Sequence, residues 1–128
     1  MDKLVDSIWI VAVDEEVKKL CQNSLAENSL RFFSSWEALI AEIISCEECY
    51  HPRFCLICDF GTAHTNLWLP LLHDSLRPTT QVVLYGPALD LDGMQSYFSQ
   101  WGIVDYIGLP LKKSKLQARF EIIQLMSA

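Results

Sequence analysis

The chain has 128 residues, of which 51% are hydrophobic and 20% charged, and its formal net charge is −6. This length suits one domain with a full hydrophobic core, so we expect a single domain over residues 1–128, either complete or the N-terminal module of a longer chain. No apolar stretch approaches the ~20 residues of a membrane span, and residues 1–6 are too polar for a signal peptide, which predicts a cytoplasmic protein without membrane contact. The negative charge argues against direct nucleic-acid binding by this domain.

Apolar runs between turn residues predict five strands that alternate with five helices. The predicted strands cover Ile8–Val13, Leu30–Phe33, Phe54–Cys58 with Asp59 at its end, Gln81–Tyr85 and Val104–Ile107. The predicted helices begin near Glu15 and near Trp36, cover about 67–76 and 92–101, and start again at Ser114. This alternation predicts an α/β fold with a doubly wound, five-stranded parallel sheet and helices on both faces.

Local signals set the expected limits of three helices. Ser34-x-x-Glu37 reads as a capping box for the second helix, whose predicted buried stripe is Trp36, Leu39, Ile40, Ile43 and Ile44. Pro70 is expected in the first turn of the third helix, where backbone N–H groups have no intrahelical partner. Gly102 is well placed to end the fourth helix.

Four of the five cysteines form two CxxC pairs, Cys46 with Cys49 and Cys55 with Cys58, and His51 lies between them. Paired CxxC motifs can hold zinc or an iron–sulfur cluster. Cys55 and Cys58 lie within one predicted strand, however, where residues three apart point to opposite faces, roughly 10 Å apart. We therefore expect core cysteines and no metal site.

In a doubly wound sheet, binding sites lie beyond the carboxyl ends of the strands. The residues at those ends are the candidates for chemistry, and most of them are chemically inert: Ala12, Val13, Asp59, Tyr85, Gly86, Leu109 and Pro110. Asp59 is the one carboxylate among them, and a lone carboxylate that closes an apolar strand is the usual place for a phosphoacceptor or a metal ligand. No Gly-rich phosphate loop follows the first strand, so a nucleotide or flavin cofactor is not expected.

From about Ser7 to Met126, the chain resembles the receiver domain of two-component response regulators. The resemblance depends on the Ile8–Val11 strand that leads to Asp14-Glu15-Glu16, on Asp59, and on the segment Gly102-x-x-Asp105-Tyr106-Ile107-x-x-Pro110. It implies the flavodoxin-like strand order 2-1-3-4-5, a phosphoacceptor at Asp59, and a role in bacterial signal transduction and transcription regulation. It also implies that Tyr106 is the aromatic residue that moves between outward and inward positions in this family.

The groups that usually support the phosphoacceptor are replaced in this chain. The resemblance places Ala12 and Val13 where two metal-binding carboxylates are usual, Tyr85 where a hydroxyl residue is usual, and Leu109 where a lysine is usual. Lys112 and Lys113 lie beyond Pro110 and read as a solvated loop. The sequence therefore predicts an atypical receiver, or pseudo-receiver, with a vestigial Asp59, no catalytic residue, no metal and no cofactor.

The predicted function is a protein-interaction or dimerisation module that regulates a protein partner or an attached output domain, without a small-molecule substrate. Its expected interaction face includes four apolar residues around the fourth helix: Met94, Tyr97, Phe98 and Trp101. If Tyr85 fills the space of an inward Tyr106, the domain is fixed in one conformation. The alternative is a receiver that still accepts a phosphoryl group on Asp59, with His64 and Thr65 in the following loop.

Overall fold

A computed structural model of the protein describes residues 8–12, 14–25, 28–59, 62–87, 95 and 100–127. Five parallel strands form one sheet in the order β2-β1-β3-β4-β5, which confirms the predicted topology. The strands are β1 (Ile8–Val11), β2 (Leu30–Phe33), β3 (Phe54–Cys58), β4 (Gln81–Gly86) and β5 (Ile103–Gly108).

Four helices are described around this sheet. They are α1 (Glu15–Ser24), α2 (Trp36–Ser45), α3 (Thr62–Ser75) and α4 (Lys113–Ser127), with a short 3₁₀ turn at Glu48–Tyr50. The remaining predicted helix, about 92–101, lies mostly outside the described residues, although Gln100 and Trp101 are helical. Gly102 follows them with φ +67°, the left-handed conformation that commonly ends a helix. Within the described residues, no helix is both long and apolar enough to cross a bilayer.

Two apolar layers cover the two faces of the sheet because successive strand residues point in opposite directions. The first layer packs Trp9, Val11, Ile57 and Leu84 against side chains of α2 and α3. The second layer packs Ile8, Ile10, Leu56 and Val83 against α1 and α4. Cys55 belongs to the first layer and Cys58 borders the second, so these two thiols face opposite sides of the sheet, as predicted.

The start of α2 differs from the prediction by one residue. Ser35, not Ser34, caps this helix, and its hydroxyl accepts a hydrogen bond from the Ala38 N–H at 3.1 Å. Trp36, Leu39, Ile40 and Ile43 are buried as predicted, but Ile44 is 66% exposed. Its backbone position turns it about 80–100° away from the sheet-facing side of the helix, so the predicted apolar stripe was one residue too wide.

Helix α3 is longer than predicted, because it begins at Thr62 and not near residue 67. Pro70 is therefore the ninth residue of the helix and lies in its interior. Its missing N–H leaves the Asn66 carbonyl without the usual intrahelical bond. The helix is anchored on both sides of this position, since Thr65, Leu69 and Leu72 are all fully buried or nearly so.

Candidate functional site at the end of strand β3

Asp59 directly follows β3 and is only 4% exposed. Its N–H donates to the Tyr85 carbonyl at 2.7 Å, which extends the pairing of β3 with β4 by one residue. The indole N–H of Trp36, the first residue of α2, donates to the Cys58 carbonyl at 3.1 Å. The backbone on which Asp59 sits is therefore held by a neighbouring strand and by a buried tryptophan.

One carboxylate oxygen of Asp59 is bonded to Thr65. The hydroxyl Oγ1 of this residue donates to Asp59 Oδ1 at 2.5 Å, and its side chain is fully buried. Thr65 is the fourth residue of α3, so the contact ties the first turn of the helix to the end of the strand. A short bond from a hydroxyl to a carboxylate is among the stronger hydrogen bonds in proteins.

The other carboxylate oxygen is bonded to Tyr106. The phenol hydroxyl donates to Asp59 Oδ2 at 2.7 Å and also lies 2.6 Å from the Pro87 carbonyl oxygen. Tyr106 is 5% exposed and is part of the first apolar layer, so its ring is turned inward. One hydroxyl hydrogen is shared by two acceptors, which joins β5 both to the end of β3 and to the residue after β4.

Gly86 provides the space for this contact. A Cβ atom at position 86 would lie 2.9 Å from Asp59 Cβ and 2.9 Å from the Tyr106 hydroxyl. Both distances are far below an ordinary contact of about 3.5–4.0 Å, so any side chain here would displace Tyr106 or Asp59. We name the five residues that meet at this point, Asp59, Thr65, Gly86, Pro87 and Tyr106, the Asp59 cluster.

The prediction that Tyr85 occupies the position beside Asp59 is wrong. Residues alternate between the faces of a strand, and Tyr85 lies in the second apolar layer, opposite Tyr106. Its hydroxyl donates to the Val11 carbonyl at 2.9 Å, and burial raises the pKa of this phenol well above its ordinary value. Gly86, one residue later, faces Asp59 instead. The inward space is filled by Tyr106 itself and not by Tyr85.

The residue that follows β1, Ala12, has no carboxylate to offer the Asp59 cluster. Ala12 is fully buried in the second apolar layer, and Val13 lies outside the described residues. Asp14 is exposed and caps α1, accepting a hydrogen bond from the Glu16 N–H at 2.8 Å. In the described part of the chain, no group of three or more His, Cys, Asp or Glu side chains is arranged to hold a metal ion.

Leu109 stands at the predicted lysine position and is 49% exposed. Its N–H donates to the Gly86 carbonyl at 2.9 Å, and its peptide bond to Pro110 is cis. The side chain borders an open depression of about 560 Å³ together with Asp14 and Val17 of the α1 region. Lys112 and Lys113 are both exposed, as predicted, but only Lys112 lies in the loop, because Lys113 is the first residue of α4.

Of the predicted interaction face, Met94, Tyr97 and Phe98 lie outside the described residues. Trp101 is half-buried and packs against the first apolar layer. Its ring also meets the ring of His73 at a centroid distance of 6.1 Å. Trp101 is therefore at least partly a core residue.

Sequence reasoning placed Asp59 and Tyr106 but did not identify the roles of Thr65 and Gly86. The sequence predicts a helix start near residue 67 and therefore places Thr65 in the preceding loop. Gly86 could have been found by counting along β4, since Val82 and Leu84 pack in the layer that contains Tyr106 and position 86 shares their face. The cluster can hold a buried carboxylate through two hydroxyl groups, and it ties β3, β5 and α3 together.

The strand order, the position of Asp59 and the inward Tyr106 together define a receiver-like fold. No protein-family model and no curated protein sequence matches the chain. Among solved structures, the chain is similar to the pilus assembly protein CpaE2 of Sinorhizobium meliloti 1021, with 18% identity and a TM-score of 0.78 over 90% of this chain and 97% of that one.

Two further structures have the same fold. The pilus assembly protein CpaE of Caulobacter crescentus CB15 is 17% identical, with a TM-score of 0.76 over 92% of this chain and 98% of that one. A response regulator of Thermotoga maritima is also 17% identical, with a TM-score of 0.71 over 94% of this chain and 98% of that one. At these identities the similarity establishes the receiver fold, which confirms the fold implied by the sequence resemblance.

Proposed function

We propose that this protein is an atypical receiver module of bacterial signalling that is not phosphorylated by the usual Mg²⁺-dependent route. The observation that carries this proposal is that both carboxylate oxygens of Asp59 are bonded to side-chain hydroxyls, from Thr65 and from Tyr106. Phosphoryl transfer needs a carboxylate oxygen that can approach phosphorus in line, beside a metal ion that neutralises charge. An oxygen already bonded to a buried phenol does not meet that need.

The same contacts support a constitutive role in protein binding. In a phosphorylation switch, the aromatic residue must leave or enter its pocket when the acceptor changes. Tyr106 is already inward and joined to the acceptor, and this bond favours a single arrangement of the surface formed by β5 and its neighbours. We therefore propose that the module recognises a protein partner or an attached output domain without a phosphorylation step, and that it has no catalytic activity.

Exposed apolar side chains support a protein-binding surface. Ile122 and Leu125 on α4 are 53% and 75% exposed, and Val104 on the edge strand β5 is 43% exposed. Edge strands and exposed apolar groups are common features of contact surfaces. Because the chain has the fold of the pilus assembly proteins CpaE2 and CpaE, we propose a role in pilus assembly first. The protein partner can also be a second copy of the chain.

Phosphorylation is tested by incubating the protein with acetyl phosphate and Mg²⁺ and measuring its intact mass. The proposal predicts no phosphoryl adduct on the wild-type protein. Tyr106→Phe is the informative variant, because it removes the hydroxyl from Asp59 Oδ2 while keeping the ring. A wild-type adduct that Asp59→Asn abolishes would establish the alternative, a receiver that accepts a phosphoryl group on Asp59.

The dimer version has a separate test, which is sedimentation equilibrium of the wild-type protein and of Leu125→Glu. A self-associating module should dissociate when a charge replaces this exposed leucine. Gln117→Glu is a control with the same change of charge at another exposed position of α4. If the wild-type protein is a monomer at all concentrations, the homodimer hypothesis is excluded and a different protein is the partner.

A further inference from the structure

A cleft of about 260 Å³ lies at the opposite end of the sheet from Asp59. It is formed by the last turns of α3, the turn before β4 and the residues before β5, and its lining includes Leu72, Arg77, Val82 and Gly102. β4 has six residues, so the cleft is roughly 15–20 Å from the Asp59 cluster at ~3.3 Å per strand residue. A ligand bound here would not touch the phosphoacceptor position.

The floor and one wall of the cleft are apolar. Leu69, Leu72 and Val82 form the floor, and each is at most 5% exposed in total. The Trp101 ring is half-buried beside them and meets His73 edge to face, at an interplanar angle of 67°. A flat or branched apolar group would be covered on two sides by these residues.

Gly102 borders the cleft beside His73 and Trp101. Its φ of +67° favours glycine, whereas a Cβ atom at this position would make only an ordinary contact of 3.8 Å with His73 Cδ2. The backbone conformation, and not a lack of space, therefore favours glycine here.

Arg77 gives the cleft a fixed positive charge. Its Nε donates to Thr80 Oγ1 at 3.3 Å, and its Nη2 donates to the Pro52 carbonyl at 3.3 Å. Thr80 is itself buried and donates to the same carbonyl at 2.6 Å. These contacts use one edge of the guanidinium group, and none of the described residues accepts a hydrogen bond from Nη1. The remaining N–H groups form a fork suited to a carboxylate.

We propose that this cleft binds a small carboxylate with an apolar body, such as a single ring or a short branched chain. The carboxylate pairs with Arg77, and the apolar body packs on Leu72, Val82 and the Trp101 ring. The volume is slightly below the range of about 300–1,000 Å³ that is usual for ligand pockets, which limits the ligand to a small molecule. This inference is independent of the proposed function, because neither the Asp59 cluster nor phosphorylation enters it.

The test is a titration of the ¹⁵N-labelled protein with sodium benzoate, followed through the NMR signals of the Trp101 indole and the Gly102 amide. We expect saturable shifts at concentrations on the order of 1 mM. Benzamide has the same ring without the charge and should bind at least about tenfold more weakly, since the charge-assisted pair with Arg77 is lost. Inorganic phosphate, which has no apolar body, should cause no saturable shift.

Arg77→Gln should abolish benzoate binding, whereas Arg53→Gln, which changes an exposed arginine near the same end of the sheet, should leave it unchanged. Arg77 also bonds Thr80 and Pro52, so a second variant is needed that keeps the guanidinium. Leu76 lines the cleft, and Leu76→Phe should fill part of its volume. Non-saturable shifts, equal affinity for benzoate and benzamide, or benzoate affinity that Leu76→Phe leaves unchanged would each overturn the proposal. Saturable shifts with phosphate alone would reduce the site to a surface anion contact and overturn it as well.

Discussion

Gly86→Ala tests the packing on which the Asp59 cluster depends. The new methyl group would be 2.9 Å from Asp59 Cβ, 2.9 Å from the Tyr106 hydroxyl and 3.1 Å from the Asp59 carbonyl oxygen. Asp59 Cβ and its carbonyl cannot move without moving the end of β3, whereas the phenol is the far end of a side chain. We expect Tyr106 to move away and to lose its bond to Asp59.

The expected cost has two parts. Overpacking a filled interior typically costs about 1–3 kcal/mol, and a buried acceptor that loses its donor costs about 1–3 kcal/mol. These parts overlap, because moving Tyr106 relieves the clash, so we expect the free energy of unfolding to fall by about 2–4 kcal/mol. Urea denaturation monitored by tryptophan fluorescence measures this change.

Gly108→Ala is a matched control for this variant. Gly108 pairs directly with Gly86 across β4 and β5, and a Cβ atom there would meet nothing within 4 Å. Its stability should be unchanged or raised by up to about 1 kcal/mol, because alanine restricts the unfolded chain. In the double variant with Tyr106→Phe, part of the Gly86→Ala cost should disappear, since the phenol oxygen at 2.9 Å is gone. Equal stabilities of Gly86→Ala and Gly108→Ala would refute the reasoning.

Two further predictions concern buried polar groups. Thr65→Val keeps the shape of the side chain but removes the donor to Asp59 Oδ1, so urea denaturation should show a loss of about 1–3 kcal/mol, while Thr79→Val at an exposed site should change stability by less than about 0.5 kcal/mol. Burial raises the pKa of the Cys21 and Cys55 thiols from 9.0 to about 12, so the unfolded chain loses these protons first as the pH rises. Stability should therefore be full below pH 9 and fall toward pH 12, by about 1.4 kcal/mol per pH unit for each thiol. In urea denaturation at pH 8 to 11, the free energy of unfolding should fall less steeply with pH in Cys55→Ala than in the wild-type protein, and equal slopes would contradict this assignment.

The sheet was predictable because its signals are local. Each strand is a short apolar run between turn residues, and runs such as Phe54–Cys58 need both faces buried, which is typical of a parallel sheet. Asp59 was predictable for the same reason, since it is the first charged residue after such a run. The prediction for helix α3 is wrong because it places Pro70 in the first turn, whereas burial of Leu69 and Leu72 on either side of Pro70 stabilises a longer helix.

The contacts of Asp59 were not predictable from local patterns. They depend on which residue of β4 faces the carboxylate, and a difference of one residue exchanges Tyr85 for Gly86. They also depend on the register of β4 with β5. An irregularity between Val82 and Val83 shifts this register, so that Tyr106 pairs with Leu84. Such information lies in the pairing of distant segments, and no single stretch of sequence contains it.

The most direct test of the central claim is an NMR titration of the wild-type protein with beryllofluoride and Mg²⁺, which together imitate a phosphoryl group on aspartate. The backbone signals of Asp59, Thr65, Gly86 and Tyr106 report on the cluster. If the two hydroxyls hold Asp59 as described, these signals should stay unchanged in the wild-type protein. Saturable shifts at all four residues, absent from Asp59→Asn, would contradict the account and identify Asp59 as a working phosphoacceptor.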